Sequence, residues 1–554
     1  MPTGTGGPKS CSQSITLAQD NATVFSSQNT RMDYVTLEGI ENRTGVGEEN
    51  LYGFIQKELL DNASDFIEME SAKEAKVKVT ILKEDAVLRI IVRNTNSSDT
   101  PSFSKDKLES IFNFDTFYSS KRNQYKLNRG ALGDAFKEIL CVPYALARKY
   151  GIDWKQPLTI TTAIDKVLLQ TFVVSLTVDR IKQTIHTEIQ ELKGKEEAES
   201  NFTEIEVRLP VIEDVLDLDR LNNFLINYTT INTHIDFTFN LPASSETNQQ
   251  QILNFPQIQP INTKWTNLGS IYYYSLSEFQ NFIFGLDKSI DDLPIYNILQ
   301  KTFREGSNMK KAGLAERPVG ELKQSLRNID QLYFQLLSTM KPITSSSNLS
   351  LPFETNRKVR MEAIRKRLEQ RPSFKVSDIK YKSQYGYHKL DGIEFPFFFE
   401  ITIVSSNSIP YYLDFVNSLN SSVMPGNYSF LIGDNSGTFH WQTQSDRKND
   451  NYRYSRTIFD ILEYYGYSLK KDKCKKLHSV IIANLVSPRI DYKSYGKSSI
   501  DLSPFAAVIA ETTVKACLGG SAQGISKGES VSVIGLLRGL LKERFEAVKK
   551  KTLL

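Results

Sequence analysis

Glu58, Asn62 and Asp65 lie in the string KELLDNASDF (57–66), at spacings of four and three. On a helix those spacings bring the three side chains onto one face. A carboxylate and a carboxamide aligned this way can do two jobs at a phosphate. Glu58 can orient or deprotonate a water, an effect worth about 10²- to 10⁴-fold, and the Asn62 oxygen can be a hard ligand for Mg²⁺. The plain alternative is the solvated face of an amphipathic helix. Further along, NRGALGDAFK (128–137) places Gly130 and Gly133 just ahead of a helical pattern. Glycines there let backbone N–H groups and the positive end of a helix approach phosphate oxygens, although a glycine pair serves ordinary turns as well. The stretch between the two strings, IFNFDTFYSSKRNQYKLNRG (111–130), is polar and basic, as a lid over a phosphate needs to be.

The elements that must position these residues follow from the pattern around them. A helix over about 48–70, strands at 77–83 and 87–93, a helix over about 130–150 and strands near 157–162, 168–178, 182–191 and 203–209 predict a mixed sheet covered on one face by helices. From about 265 to 345 the pattern is helical, and KPITSSSNLSLP (341–352) reads as a linker. An α/β pattern resumes, with FPFFFEITIVSS (395–406) and LHSVIIANLV (477–486) as buried strands and PYYLDFVNSLNS (410–421) and RTIFDILEYYGY (456–467) as helices. The fold class is therefore multidomain α/β. The boundaries expected are a loose tail at 1–30, a first α/β unit at 31–230, a helical middle block with linkers at 231–350, a second α/β unit at 351–516, and a linker with a last helix at 517–554. In that last helix Ile534, Leu537, Leu541, Phe545 and Val548 form an apolar stripe suited to docking on a partner protein.

With 554 residues the chain is long enough for several cores, and 40% hydrophobic and 24% charged residues are ordinary for a soluble protein. No run of about 18 apolar residues marks a membrane span, and the start MPTGTGGPKSCSQS has no signal-peptide core. The expectation is a cytoplasmic protein, nucleoid-associated if prokaryotic, with no membrane partner. The cysteines at 11, 141, 474 and 517 form no CxxC pair, which argues against a disulfide framework or a zinc knuckle. YGKSS (495–499) is not a phosphate-binding P-loop, because Asp491 stands where the first glycine is needed.

The order of these motifs resembles that of the GHKL ATPases, which include gyrase B, MutL, Hsp-type chaperones, histidine kinases and the B subunits of topoisomerase VI. The last group is the nearest. ELLDNASDF is similar to its first-helix pattern ELxxNxxDA, YSSK (118–121) to its lid YGSK, Arg129 to Gly133 to its RGxxG, and Thr203 to Pro210 to its TxIxxxLP. HSVIIANLVSPRIDYKSYGKSSI (478–500) resembles its transducer segment and puts Arg489 at the position of the switch lysine, although a buried strand followed by a basic turn would read the same. The resemblance implies an N-terminal GHKL (Bergerat) sandwich, a helix-two-turns-helix-like middle domain and a transducer domain. It implies ATP and Mg²⁺ as cofactors, Glu58 as general base, Asn62 as the Mg²⁺ ligand and Asp65 in the adenine or metal shell. Lys121 and the backbone of Gly130, Ala131, Leu132 and Gly133 would hold phosphates, with Thr203 beside the adenine and Arg489 on the terminal phosphate. The chain departs from the family at VRNTNSSD, where Asn94 stands at the aspartate that receives the adenine amino group, and at Ala135, where the third glycine is missing. An Asn oxygen can accept that hydrogen bond without the negative charge.

Net charge is only +4, so a nucleic-acid surface has to come from local clusters. RKVRMEAIRKRLEQR (357–371) carries seven basic and two acidic residues, and KKDKCKK (470–476) is a second run. Arg357, Lys358, Arg360, Arg365, Lys366 and Arg367 are the expected contacts to double-stranded DNA, the alternative being a solvated helix face. Tyr272, Tyr273 and Tyr274 suit a core or, less simply, base stacking. The reading is the ATP-binding B-type subunit of a topoisomerase VI-like, ATP-dependent DNA topoisomerase, a nucleotide-dependent homodimeric clamp working with a separate A-type cleaving subunit. A stand-alone MORC- or chaperone-like clamp and an ATPase-degenerate scaffold are the alternatives.

Overall fold

Alternating parity builds the first sheet. In β1 (Lys76–Glu84) and β2 (Val87–Thr95), Val77, Val79, Ile81, Leu88, Ile90 and Val92 fall on one parity and are buried, while Lys78, Arg89 and Arg93 fall on the other. A period of two sends the first row against helices and the second toward water. The computed structural model describes residues 31–518 except 71–74, 96–102, 115–124, 128, 130–134, 165–167, 195–199, 244–249, 263–264, 266–267, 287, 308, 310–312, 340–348, 372–373, 407–414, 424–438, 442–452, 456–457, 459–460, 463–477 and 492–499. Within them, α1 (Leu37–Thr44), α2 (Leu51–Glu70), α3 (Lys105–Ile111) and α4 (Ala135–Lys149) precede β3 (Leu158–Ile164), β4 (Leu168–Asp179), β5 (Thr184–Gly194) and β6 (Phe202–Pro210). Then come α5 (Leu218–Ile231), capped by Asp217, and β7 (Asp236–Leu241) and β8 (Gln251–Phe255).

The described strands form a sheet in the order β5-β4-β3-β6-β2-β1-β7-β8, antiparallel except for the parallel pair β1 and β7. The expected boundary at 230/231 is therefore corrected. β7 and β8 extend the first sheet beyond β1 instead of joining the helical block. On the open face, Arg89 and Arg208 both hold Glu206, and Arg93 holds Glu204, so the basic and acidic rows pair across strands.

The helical block runs through α6 (Leu276–Phe284), α7 (Ile295–Thr302), α8 (Arg304–Ser307), α9 (Val319–Lys323) and α10 (Leu326–Thr339) around Phe279, Phe282, Phe303 and Tyr333. Tyr273 and Tyr274 are buried in this core and Tyr272 donates to the Leu337 carbonyl, which places the tyrosine run in packing rather than base stacking.

The second α/β unit begins with α11 (Arg357–Glu369), β9 (Asp378–Leu390) and β10 (Ile393–Ser406). β9 and β10 make a two-residue hairpin at Asp391 and Gly392, both at positive φ (51° and 80°), the conformation Asp-Gly turns favour. β11 (Phe415–Leu419) and β12 (Ser422–Val423) follow, then the separate pair β13 (Phe439–Trp441) and β14 (Arg453–Ser455), β15 (His478–Val486) and α12 (Ala506–Cys517). The sheet order is β12-β11-β15-β10-β9. A helix was expected over 410–421, and its described part is instead β11, parallel to β15 and buried nearly throughout. A strand covered on both faces lacks the alternation that marks a half-exposed one. The helix expected over 456–467 falls largely outside the described residues, and the last helix wholly so.

α2, α5 and α11 lie between the two sheets, and one core runs from Leu59 and Ile67 through Phe237 and Leu368 to Val404 and Ile482. α12 covers the far face of the second sheet through Phe397, Phe399 and Ile509. Charge is buried in this middle layer. Arg360 pairs with Glu400 through Nε (3.1 Å) and Nη2 (2.8 Å) and also donates to Thr233 Oγ1 and the Ile231 carbonyl, while Tyr381 and Asn484 complete the Glu400 shell. Every oxygen of that carboxylate has a donor, the condition under which a buried pair is tolerated.

Candidate functional site

α2 carries two polar stripes. On one, Lys57 Nζ lies 2.9 Å from Asp61 Oδ2, which also accepts from Ser422 Oγ of the second sheet at 2.6 Å, while Asp61 Oδ1 accepts from Tyr228 Oη at 2.9 Å. Burial opposes the Lys57 charge, but the Asp61 and Glu58 carboxylates outweigh it and hold the ammonium well above its ordinary range. Two turns on, Glu68 takes both terminal nitrogens of Arg129 (2.7 and 2.5 Å) and His234 Nε2 (2.6 Å), and Arg129 also reaches Asn232, which donates to the Ser421 carbonyl (3.0 Å). Burial would raise the Glu68 pKa, yet the Arg129 charge and the hydrogen bonds from His234 and Arg129 hold it down at about 2.

The other stripe holds the sequence-predicted residues. Glu58 is buried and accepts from Lys57 Nζ at 2.9 Å. Asn62, one turn later, has a buried Nδ2 with no hydrogen-bond partner. Asp65 Oδ1 accepts from the backbone N (3.3 Å) and Nη1 (3.0 Å) of Arg129, which fixes that residue against this helix. The first string and Arg129 of the second thus meet at Asp65.

α2 packs over β2. At the end of that strand Asn94 lies directly opposite Thr203 of β6, and Thr203 lies opposite Thr162 of β3. All three are buried on the helix-facing parity, a polar row across three strands whose other inward positions are apolar. Asn94 Nδ2 donates to the Thr95 carbonyl at 3.1 Å. The Thr162 hydroxyl has no partner. Thr162 was missed by sequence reading, although a signal existed: it shares the parity of Leu158 and Ile160, where an apolar residue is expected. Lys121, Gly130, Ala131, Leu132 and Gly133 lie outside the described residues.

The donor set suits magnesium better than a protein-caged metal. No group of three or more His, Cys, Asp or Glu among the described residues is placed to hold a metal ion. Mg²⁺ takes one or two protein oxygens and completes its shell with water and phosphate, a role the Asn62 carboxamide oxygen can fill.

Arg489, expected on the terminal phosphate, is engaged by protein groups. Its Nη1 binds Glu278 of α6 (2.9 Å), its Nη2 binds Asp391 (2.8 Å), and its guanidinium sits over the Tyr125 and Phe395 rings. Tyr125 Oη also donates to Glu278, at 2.6 Å. The Arg489 charge therefore ties the end of β15 to the helical block and to the segment leading to Arg129.

The DNA expectation needs a correction on α11. Arg360 and Arg367 are fully buried. Arg360 is held by Glu400, and Arg367 donates to the carbonyls of Thr233 and Ile235, with burial pulling its pKa down to about 9 against the Asp236 charge. Neither can reach a phosphate. Arg357, Lys358 and Lys366 are exposed and Arg365 is partly so, leaving a narrower basic strip.

No protein-family model matches the sequence, and no curated protein matches it. Among solved structures, the ATPase region of Saccharomyces cerevisiae topoisomerase II bound to ICRF-187 (dexrazoxane) is similar at 12% identity with a TM-score of 0.33, covering 90% of this chain and 86% of that one. A second structure of that ATPase region gives 11% identity, a TM-score of 0.33 and the same coverage. Likeness of this order leaves the site to be argued from the chain's own geometry. No helix among the described residues is long and apolar enough to cross a membrane.

Proposed function

We propose that the chain is a nucleotide-gated clamp of the GHKL kind, the ATP-binding B-type subunit of a topoisomerase VI-like DNA topoisomerase. The observation that carries this reading is the register of Asn94 against Thr203 beneath α2, with the Asn62 amide unpartnered above. Asn94 Oδ1 accepts the amino group of adenine, and the Thr203 and Thr162 hydroxyls face the ring nitrogens. Asn62 would supply an oxygen to Mg²⁺, which when bound would offset phosphate charge. Glu58 takes the proton from the attacking water while Lys57, at 2.9 Å, keeps the carboxylate in place. Asp65 holds Arg129 and with it the entry to the glycine turn.

Binding would close two copies into a dimer around DNA, and the contacts from α2 and α5 to the β11–β12 turn would relay closure to the second α/β unit and a separate cleaving subunit. Arg357, Lys358, Arg365 and Lys366 supply the phosphate contacts. A second reading, a scaffold without turnover, is favoured by one observation: both terminal nitrogens of Arg489 are engaged by Glu278 and Asp391. Equilibrium binding of a fluorescent ATP analogue, beside steady-state phosphate release, separates the two. Glu58→Gln should bind like wild type and lose turnover by about 10²-fold or more. Binding without turnover in wild type favours the scaffold, and no binding removes the nucleotide reading.

A further inference from the structure

Where the segment 125–127, the helical block and the second α/β unit meet, Tyr125, Lys126, Leu127, Trp265, Tyr273 and Arg304 line a small hollow closed on one side by Pro488. Its walls are fixed by close packing. A Cβ on Gly269 would stand 3.0 Å from the Tyr125 carbonyl oxygen, so a larger residue there would press the segment away from the block. Gly269 pairs with Phe303, and Tyr125 N donates to Tyr274 Oη at 2.9 Å. Arg304 follows Phe303 directly, and Tyr273 is held by its ring contact with Phe395 at 5.5 Å.

The chemistry of this lining is one-sided. The Trp265 indole N–H and the Tyr273 hydroxyl are buried and have no hydrogen-bond partner. Lys126 and Arg304 bring positive charge, no Asp or Glu is among the described lining residues, and the Glu305 carboxylate that acts on Tyr273 is taken by the Ser270 hydroxyl and the Ile271 N–H. Burial draws the Lys126 ammonium down to about 8 with no carboxylate to offset it. Each buried donor left unmet is costly, and donors that line one hollow beside two cations are matched by an anionic acceptor. The cavity, about 10 Å³, admits one oxygen-sized group, so the rest of the ligand stays at its mouth.

We propose that this hollow is a binding site for an oxyanion of the phosphate type, one oxygen of which inserts between the Trp265 N–H and the Tyr273 hydroxyl with Lys126 and Arg304 as counter-charges. The group is either free phosphate or the terminal phosphoryl of a nucleotide. Its effect would be to pin the segment leading to Arg129 against the helical block. The site stands on its own lining and does not depend on the nucleotide reading of α2.

The test is direct binding of inorganic phosphate to the full chain by calorimetry and ³¹P line broadening at constant ionic strength. Wild type should saturate at one site. Lys126→Met, which keeps the stem, should weaken binding about tenfold, and Tyr273→Phe, which keeps the ring, about three- to tenfold. Lys288→Met, on an exposed lysine of the block, should leave affinity unchanged. Competition by a non-hydrolysable ATP analogue assigns the group to a nucleotide, and its absence assigns it to free phosphate. A lack of saturation in wild type, or saturation that survives both substitutions and so reflects an adventitious ion only, overturns the proposal.

Discussion

The two polar stripes of α2 differ in one respect. Lys57, Asp61 and Glu68 have their charges answered by named partners, including Ser422 from the second sheet, Tyr228, Arg129 and His234. The stripe of Glu58, Asn62 and Asp65 is built from the same residue types one step around the helix and leaves the Asn62 amide unanswered. Glu58 and Asp65 are as buried as the first stripe and Asn62 is half-buried, so burial alone does not separate structure from function. The first stripe has unmet groups as well, Arg129 Nε and His234 Nδ1, but each of its carboxylates has its donors, whereas the unpartnered Asn62 amide lies on the helix that packs over the strand ending in the polar row of Asn94, Thr203 and Thr162.

The comparison breaks most visibly if the closed network can be opened cheaply. Arg360→Ala leaves Glu400 buried without its cation and should cost about 3–5 kcal/mol, read as a shift in the denaturant midpoint. A loss below about 1 kcal/mol would show the seam to be wet or loosely packed. The next largest effect is on pH. The Glu68 pKa is lowered from 4.5 to about 2, so its contribution of about 3 kcal/mol is fully present above pH 4.5 and is lost as pH falls toward 2. Glu68→Gln should therefore flatten the acid limb of the stability curve.

On the open stripe the order reverses. Asn62→Ala should change stability by no more than about 0.5 kcal/mol, since Nδ2 has no partner to lose, while abolishing Mg²⁺-dependent nucleotide binding. A large stability loss with binding intact would make Asn62 an ordinary core residue. The smallest effect is expected on the exposed side of α11. Lys358→Ala should leave the melting curve within about 0.5 kcal/mol of wild type and lower the salt slope of DNA binding by about one, whereas Arg367→Ala should act on stability first.

What could be read from the sequence tracks locality. α2, β1, β2 and β6 were legible because period 3.6 and period 2 are local signals, whereas the Asn94–Thr203 register joins strands far apart in the chain and was not. β7 was assigned to the wrong unit because its parallel partner β1 lies far away in sequence, and β11 looked helical because a strand buried on both faces shows no alternation. The basic run over 357–371 misled for a related reason. Its charge count is local, but the partners that bury Arg360 and Arg367 are Glu400 and the carbonyls of Ile231, Thr233 and Ile235. Arg489 was placed on a phosphate by position, and its partners Glu278 and Asp391 come from two other elements.

The measurement that bears most directly on the gated-clamp reading is the mass of the full chain in solution with Mg²⁺ and a non-hydrolysable ATP analogue, beside Asn62→Ala. The account predicts a dimer that forms only with nucleotide and is absent in the variant. A mass that ignores nucleotide in wild type, or a dimer unchanged by Asn62→Ala, would contradict it.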